Sequence, residues 1–219
     1  METLRISPQY KADEWRRLDK TKQEDWATAA DIVHDRLHGR FLKFADACLP
    51  DVSSGFVVLS IDCLLVETLQ QFIEGETRDW SDSERSFKRF LAGPRFATSF
   101  IPPQTRRRFY LDIRCGLLHQ AEAKKKWLVR RKQAGMLRLV GPDEYIIDVE
   151  LFHAAVKGSL ETTSRRSSSR NGRTCARSSG RRWTTFATSA SHGARWKSTT
   201  PRQRRRRPER VANCVLRID

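Results

Sequence analysis

Two residues able to do chemistry stand five positions apart in the stretch FYLDIRCGLLHQAEA, residues 109–123: Arg114 and His119. Histidine titrates near neutrality and can both take and give a proton. Arginine keeps its charge and presents a planar fork to the oxygens of a phosphate. The competing explanation is structural, with two polar groups satisfied at the edge of an apolar helix. On an ideal helix five residues turn through about 500°, so the two side chains point about 140° apart. Either the reach of the arginine or a partner helix crossing at the small Gly116 must bring them together.

A cation in an apolar helix needs an anion. DVSSGFVVLSIDCLLVETLQQFIEG, residues 51–75, reads as a central helix, apolar nearly all round, with Ser53 or Ser54 as its N-cap and Gly75 as its stop. Inside its apolar run stand two carboxylates, Asp62 and Glu67, each of which needs a partner in such surroundings. Glu67 is the expected partner of Arg114, with Asp62 the alternate.

Other histidines carry less. HDRLH, residues 34–38, puts two imidazoles on one helix face, as a zinc helix does. Aspartate replaces the glutamate of that motif and no third ligand is evident, so His34 and His38 read as a solvated flank. His153 and His192 have no acid or ligand pattern around them and receive no role. No metal site and no cofactor are expected.

The elements that position these residues follow from periodicity. Trp26, Ala30, Val33, Leu37, Phe41, Phe44 and Cys48 step by three and four and predict a long first helix ending before Pro50. A short helix over SDSERSFKRFLAG ends at Gly93-Pro94, and Pro102-Pro103 introduces a helix from about 104 to 126 that holds Arg114 and His119. Alternation over Trp127–Arg131 and Met136–Val140 predicts a small β-hairpin, and Val149, Phe152, Val156 and Leu160 predict a last helix. The expected fold is all-α: an up-and-down bundle of four to five helices with a β-hairpin insertion. It spans residues 25–161, behind a partly ordered extension over 1–24.

Charge separates the end of the chain from the rest. The formal net charge is +16, but residues 162–219 hold 16 basic residues against two acidic ones, which leaves 1–161 nearly neutral. The last segment has 15 arginines and one lysine, sparse apolar residues and no periodicity, so a disordered basic tail is expected. Two origins stand for it. Trp183, Phe186 and Trp196 among arginines suit a nucleic-acid-binding tail. Arg, Ser, Thr, Gly, Ala and Pro are also what a GC-rich gene yields when read out of frame, and the change falls inside an amphipathic helix.

METLRISPQYKADEW has no apolar segment of a secretory signal, and FVVLSIDCLLV is too short to span a bilayer. Five cysteines without a C-x-x-C pattern argue against a disulfide framework or a zinc knuckle, and Cys48 and Cys63 fall on apolar stripes. A cytoplasmic protein with no membrane association is expected.

The order of elements, and FYLDIRCGLLHQAEA in particular, resembles the HEPN superfamily, small helical domains defined by an R-x(4–6)-H motif. The resemblance covers residues 25–160 and none of the tail. It implies that Arg114 and His119 are the catalytic pair of a metal-independent endoribonuclease, with Glu67 or Asp62 the supporting acid. RNA then supplies its own nucleophile, the 2′-OH, and the protein moves protons and stabilises the phosphorane. It also implies a homodimer whose facing chains supply two histidines, and an antitoxin or nucleotidyltransferase as a further partner. Cys115 departs from the family pattern, since many active members carry a polar residue, commonly asparagine, after the arginine. Some members are non-catalytic modules that bind a protein or nucleotide, and a third class is a nucleic-acid-binding protein that acts through its tail.

Overall fold

The computed structural model describes residues 4–19, 22–74 and 82–168. The element order is α1 (Ala12–Arg17), α2 (Gln23–Leu37), α3 (Lys43–Cys48), α4 (Gly55–Glu74), α5 (Ser83–Phe90), α6 (Gln104–Phe109), α7 (Cys115–Gln120), β1 (Trp127–Arg130), β2 (Leu137–Gly141), β3 (Glu144–Asp148) and α8 (Val149–Ser168). One π turn, His38–Leu42, joins α2 to α3, and a second, Tyr110–Arg114, joins α6 to α7. Each forms a continuous rod with its flanking helices.

The first π turn explains a misplaced stripe. Trp26, Ala30, Val33 and Leu37 are buried as the spacing predicts, but Phe44 is exposed and Phe41 only half-buried. A π turn adds a residue to the helical repeat and rotates the face presented by the residues beyond it. The core side then passes to Leu42 and Ala45, both fully buried.

α4 is the central helix, packed against α3, α5 and α8. Its start is organised by Asp51, whose carboxylate accepts from Ser53 N at 2.8 Å, rather than by Ser53 or Ser54 as a cap. Ser54 instead donates to the Cys48 and Asp51 carbonyls, and Arg131 donates to the Leu49 and Asp51 carbonyls and to Ser54 Oγ. Val52–Glu74, 23 residues, is long and apolar enough to cross a membrane by length and composition alone. Nine side chains of α4 are nevertheless buried inside the protein, Asp62 among them.

An aromatic cluster fills the core beside α4. Phe109 lies 5.2 Å from both Phe100 and Phe152, and Phe96 lies 5.5 Å from Phe152, all four essentially inaccessible. Burying each such side chain contributes about 1.5–3 kcal/mol. The N-terminal segment joins this core, with Ile6 and Trp15 buried. It is part of the body rather than an appendage.

The all-α expectation is overturned by a three-stranded mixed sheet in the order β1-β3-β2. β2 and β3 form the antiparallel hairpin around Pro142-Asp143, while β1 runs parallel to β3 with Trp127 opposite Tyr145 and Val129 opposite Ile147. β1 and β2, the strands expected to pair, lie on opposite edges. The parallel pairing is invisible to local alternation because it joins strands with another strand between them in the chain. Trp127, Tyr145 and Ile147 bury the inner face of the sheet.

The helix holding Arg114 and His119 also ends earlier than expected, at Gln120 instead of about 126. Ala121 takes a left-handed φ of 56°, and Lys124 N then donates to the Asp112 carbonyl at 2.9 Å, so the chain folds back along its own helix. Gly116 permits this: a Cβ there would sit 2.4 Å from the Glu122 carbonyl oxygen. The site expected to admit a partner helix is filled by the chain itself.

α8 continues to Ser168, past the expected boundary at 161, and Thr162 accepts a hydrogen bond from Arg95 at 3.1 Å. The rest of the tail, with His192, Trp183, Phe186 and Trp196, lies outside the described residues.

Candidate active site

Glu67 and Arg114 meet. Glu67 projects from the second half of α4, and Arg114 is the last residue of the π turn between α6 and α7. Arg114 Nε donates to Glu67 Oε1 at 2.7 Å, with both side chains about five-sixths buried (16 % and 17 % exposed). The second carboxylate oxygen is also engaged. Ser83 Oγ donates to Glu67 Oε2 at 2.7 Å, and Tyr110 OH donates to Ser83 Oγ at 3.0 Å. The Arg114 guanidinium lies 5.3 Å from the centre of the Tyr110 ring. Burial opposes the arginine's charge, but Glu67, Tyr110 and Cys115 outweigh it and hold the Arg114 pKa above its ordinary value. Burial raises the Tyr110 pKa against the opposing influence of Ser83 and Arg114.

This is a positioned cation. Nε makes the 2.7 Å contact and Cys115 also lies within hydrogen-bonding reach, so of the five N–H groups of the guanidinium some remain as donors for a further anion. The π turn contributes to the placement, since such turns reset the face a side chain presents and recur at functional sites.

His119 is exposed near the end of α7, beside the exposed Leu118. Its side chain makes no hydrogen bond, ion pair or ring contact among the described residues, and none joins it to Arg114. Among the described residues no contact joins the two residues of the motif within one chain, so the reach of Arg114, which turns to Glu67, does not bridge the ~140° between them.

Asp62 does not serve Arg114. It is fully buried, and its Oδ1 lies 2.8 Å from His153 Nδ1. His153 Nε2 lies 3.1 Å from Asp46 Oδ1, and Lys157 Nζ reaches both Asp46 oxygens at 3.0 and 2.8 Å. Five residues separate Asp62 from Glu67, so the helix sends one to α8 and the other to α5 and the π turn. Burial would lower the His153 pKa, but Asp62 and Asp46 raise it further, and the net direction is upward. Burial raises the Asp62 pKa, and His153 offsets part of that. For Asp46, burial is overcome by Lys157 and His153, and its pKa falls. Asp62 Oδ2 has no hydrogen-bond partner among the described residues.

His153 is therefore a buried bridge between three helices, although sequence assigned it no role. Its spacing, four residues after Val149 and three before Val156, puts the ring on the apolar face of α8, but its partners come from α3 and α4. Asp112 is a second residue that the periodicity of the sequence does not single out. It is buried, accepts from Trp127 Nε1 at 3.3 Å and pairs with Lys125 at 3.2 Å, tying the Arg114 helix to the sheet.

His34 and His38 stack with ring centres 5.5 Å apart, and Asp35 between them accepts from the backbone of Gln9. Burial, with His38 alongside, lowers the His34 pKa. Among the described residues no three His, Cys, Asp or Glu side chains are placed so that they could hold a metal ion together. Cys48, Cys63 and Cys115 are free thiols, and burial raises the Cys63 pKa well above its ordinary value.

Comparison of the chain with protein-family models, with curated proteins and with solved structures finds no match.

Proposed function

We propose that the chain is a HEPN-like, metal-independent endoribonuclease that cleaves RNA by attack of the 2′-OH, at a site completed by a second copy of itself. The observation that supports this most is the Glu67–Arg114 pair at 2.7 Å, because it holds a buried arginine fixed while leaving donors for a phosphate. His119 supplies the proton-transfer group, and its exposure leaves it open to a substrate and to a facing chain.

One histidine cannot act at once as the base for the 2′-OH and the acid for the leaving 5′-oxygen. Two chains facing each other provide two. Val57 and Leu64 on α4 and Leu118 on α7 are exposed apolar side chains on neighbouring helices and suit that contact. The two chemical roles then divide between His119 of each chain, with Arg114 holding the non-bridging phosphate oxygens. We place the protein in the cytoplasm.

Cys115 favours a second reading, a non-catalytic module of the same kind that binds a protein such as an antitoxin or nucleotidyltransferase, or a nucleotide. A half-buried thiol beside Arg114 replaces the polar group of many active members. The arginine-rich end favours a third, nucleic-acid binding by residues 162–219 alone. Incubating the full chain with single-stranded RNA in EDTA tests the first reading. Fragments ending in 2′,3′-cyclic phosphate support it; intact RNA, with a salt-sensitive complex lost on removing the basic end, supports the third.

A further inference from the structure

The sheet's outer face has a composition that the core does not explain. Leu128 on β1, Ile146 on β3 and Arg138 on β2 lie in one register row, Leu128 opposite Ile146 and Ile146 opposite Arg138. Side chains alternate along a strand, so Arg130 shares this face with Leu128. Leu128, Arg130 and Arg138 are exposed and Ile146 partly so. The inner face carries Trp127, Tyr145 and Ile147, all buried. Two arginines thus border a short apolar strip, with Arg138 and Leu128 roughly 10 Å apart across two strand spacings.

These arginines are not neutralised. The cross-strand partner of Arg130 is Asp148, but Asp148 is buried and its oxygens accept from Gln133 N at 2.6 Å and Leu151 N at 2.9 Å. Among the described residues no carboxylate pairs with Arg130 or Arg138, whereas Lys125, Lys126 and Arg108 pair with Asp112, Glu144 and Asp143. Exposed Lys132 in the following loop also has no acidic partner among the described residues. Asp112, Asp143 and Glu144 are thus each matched to a different cation, and Asp148 to backbone amides.

We propose that this outer face is a docking platform for single-stranded RNA, guiding the strand toward His119. The inference rests on the ribonuclease reading for its choice of polyanion. Guanidinium groups suit phosphates and stack on bases, and the Leu128–Ile146 strip offers an apolar bed between them. Chain connectivity keeps the platform close to the site: β1 begins eight residues after His119, and the connection is pinned to the Arg114 helix through Asp112, which accepts from Trp127 of β1.

The test uses the full chain carrying His119→Ala, so that binding is measured without cleavage, and a fluorescein-labelled single-stranded uridine oligonucleotide as probe. Adding Arg130→Gln and Arg138→Gln should weaken binding and reduce the slope of log affinity against log salt by about 1.4, two phosphate contacts at about 0.7 each. The advantage of the parent over this variant then shrinks about sevenfold between about 50 and about 200 mM salt. The Arg130→Lys, Arg138→Lys variant should retain the slope, which separates lost charge from lost folding. Hydrogen exchange should show RNA protecting Trp127–Arg130 and Leu137–Gly141. An unchanged slope, protection confined to residues 169–219, or tighter binding of polyglutamate than of RNA overturns the proposal. The two readings fail separately. Sheet-dependent binding by a wild-type chain that cuts nothing removes the nuclease and keeps the platform; cleavage with KM unaffected by the double glutamine variant removes the platform alone.

Discussion

Arg114 Nε and Glu67 Oε1 lie 2.7 Å apart, although 47 residues separate them in the chain. The pair fastens the π turn of one rod to the central helix, and Ser83 and Tyr110 complete the shell around the carboxylate. Glu67→Gln leaves an uncompensated guanidinium in a mostly buried site. The cost should be about 2–3 kcal/mol, below the ~3–5 kcal/mol of a fully buried pair because both side chains retain some exposure. Urea unfolding of the variant checks this, and an unchanged midpoint would show that the pair carries no stability.

If Arg114 and His119 are catalytic, alanine at either should lower the cleavage rate by about 10²–10⁴ while helix content and oligomeric state stay as in the parent. Cleavage by the parent should require a 2′-OH at the scissile position. A heterodimer isolated from co-expressed Arg114→Ala and His119→Ala chains carries one site with both residues if each cleft draws one from each chain. It should then recover partial activity that neither mutant homodimer shows, and no more, because one of the two histidines that divide the proton transfers is still missing. Loss of stability with no specific effect on cleavage would return both residues to a structural role.

The His153 bridge predicts a pH dependence. A histidine whose folded pKa is raised contributes stability that is complete below its unfolded pKa of about 6.5 and is lost as pH rises through the folded value. The melting temperature should therefore fall from pH ~6 toward mildly alkaline pH. His153→Gln should start lower and show less of this decline. Equal slopes in the two proteins would mean that His153 does not titrate with folding. Asp46, whose pKa is lowered, acts in the opposite sense only under acid conditions.

Gly116→Ala places a methyl group 2.4 Å from the Glu122 carbonyl, which is backbone and cannot swing away. The turn carrying the chain from His119 to the sheet must shift, at a cost of about 1–3 kcal/mol. Thermal melts of the variant measure it. A melting temperature equal to that of the parent would show that the turn does not pack against Gly116.

Sequence alone determined what local periodicity can carry. The apolar face of the first helix as far as Leu37, the central helix and the need of its carboxylates for partners were legible, because burial imposes a repeat of about 3.6 residues on nearby positions. The Glu67–Arg114 pairing was legible for a related reason: few cations were available to an acid in so apolar a helix. Tertiary structure decided the rest. Asp62 and His153 pair across 91 residues, and nothing near either one encodes the meeting. The parallel partner of β1 is set by packing of the sheet against the helices, and the π turn that moves the core side from Phe44 to Ala45 breaks the very repeat from which the stripe was read. The end of the helix at Gln120 depends on a chain reversal over Gly116, a contact between residues whose side chains say nothing of it. Local order follows from composition along a few turns; which turns touch is settled only when the whole core closes.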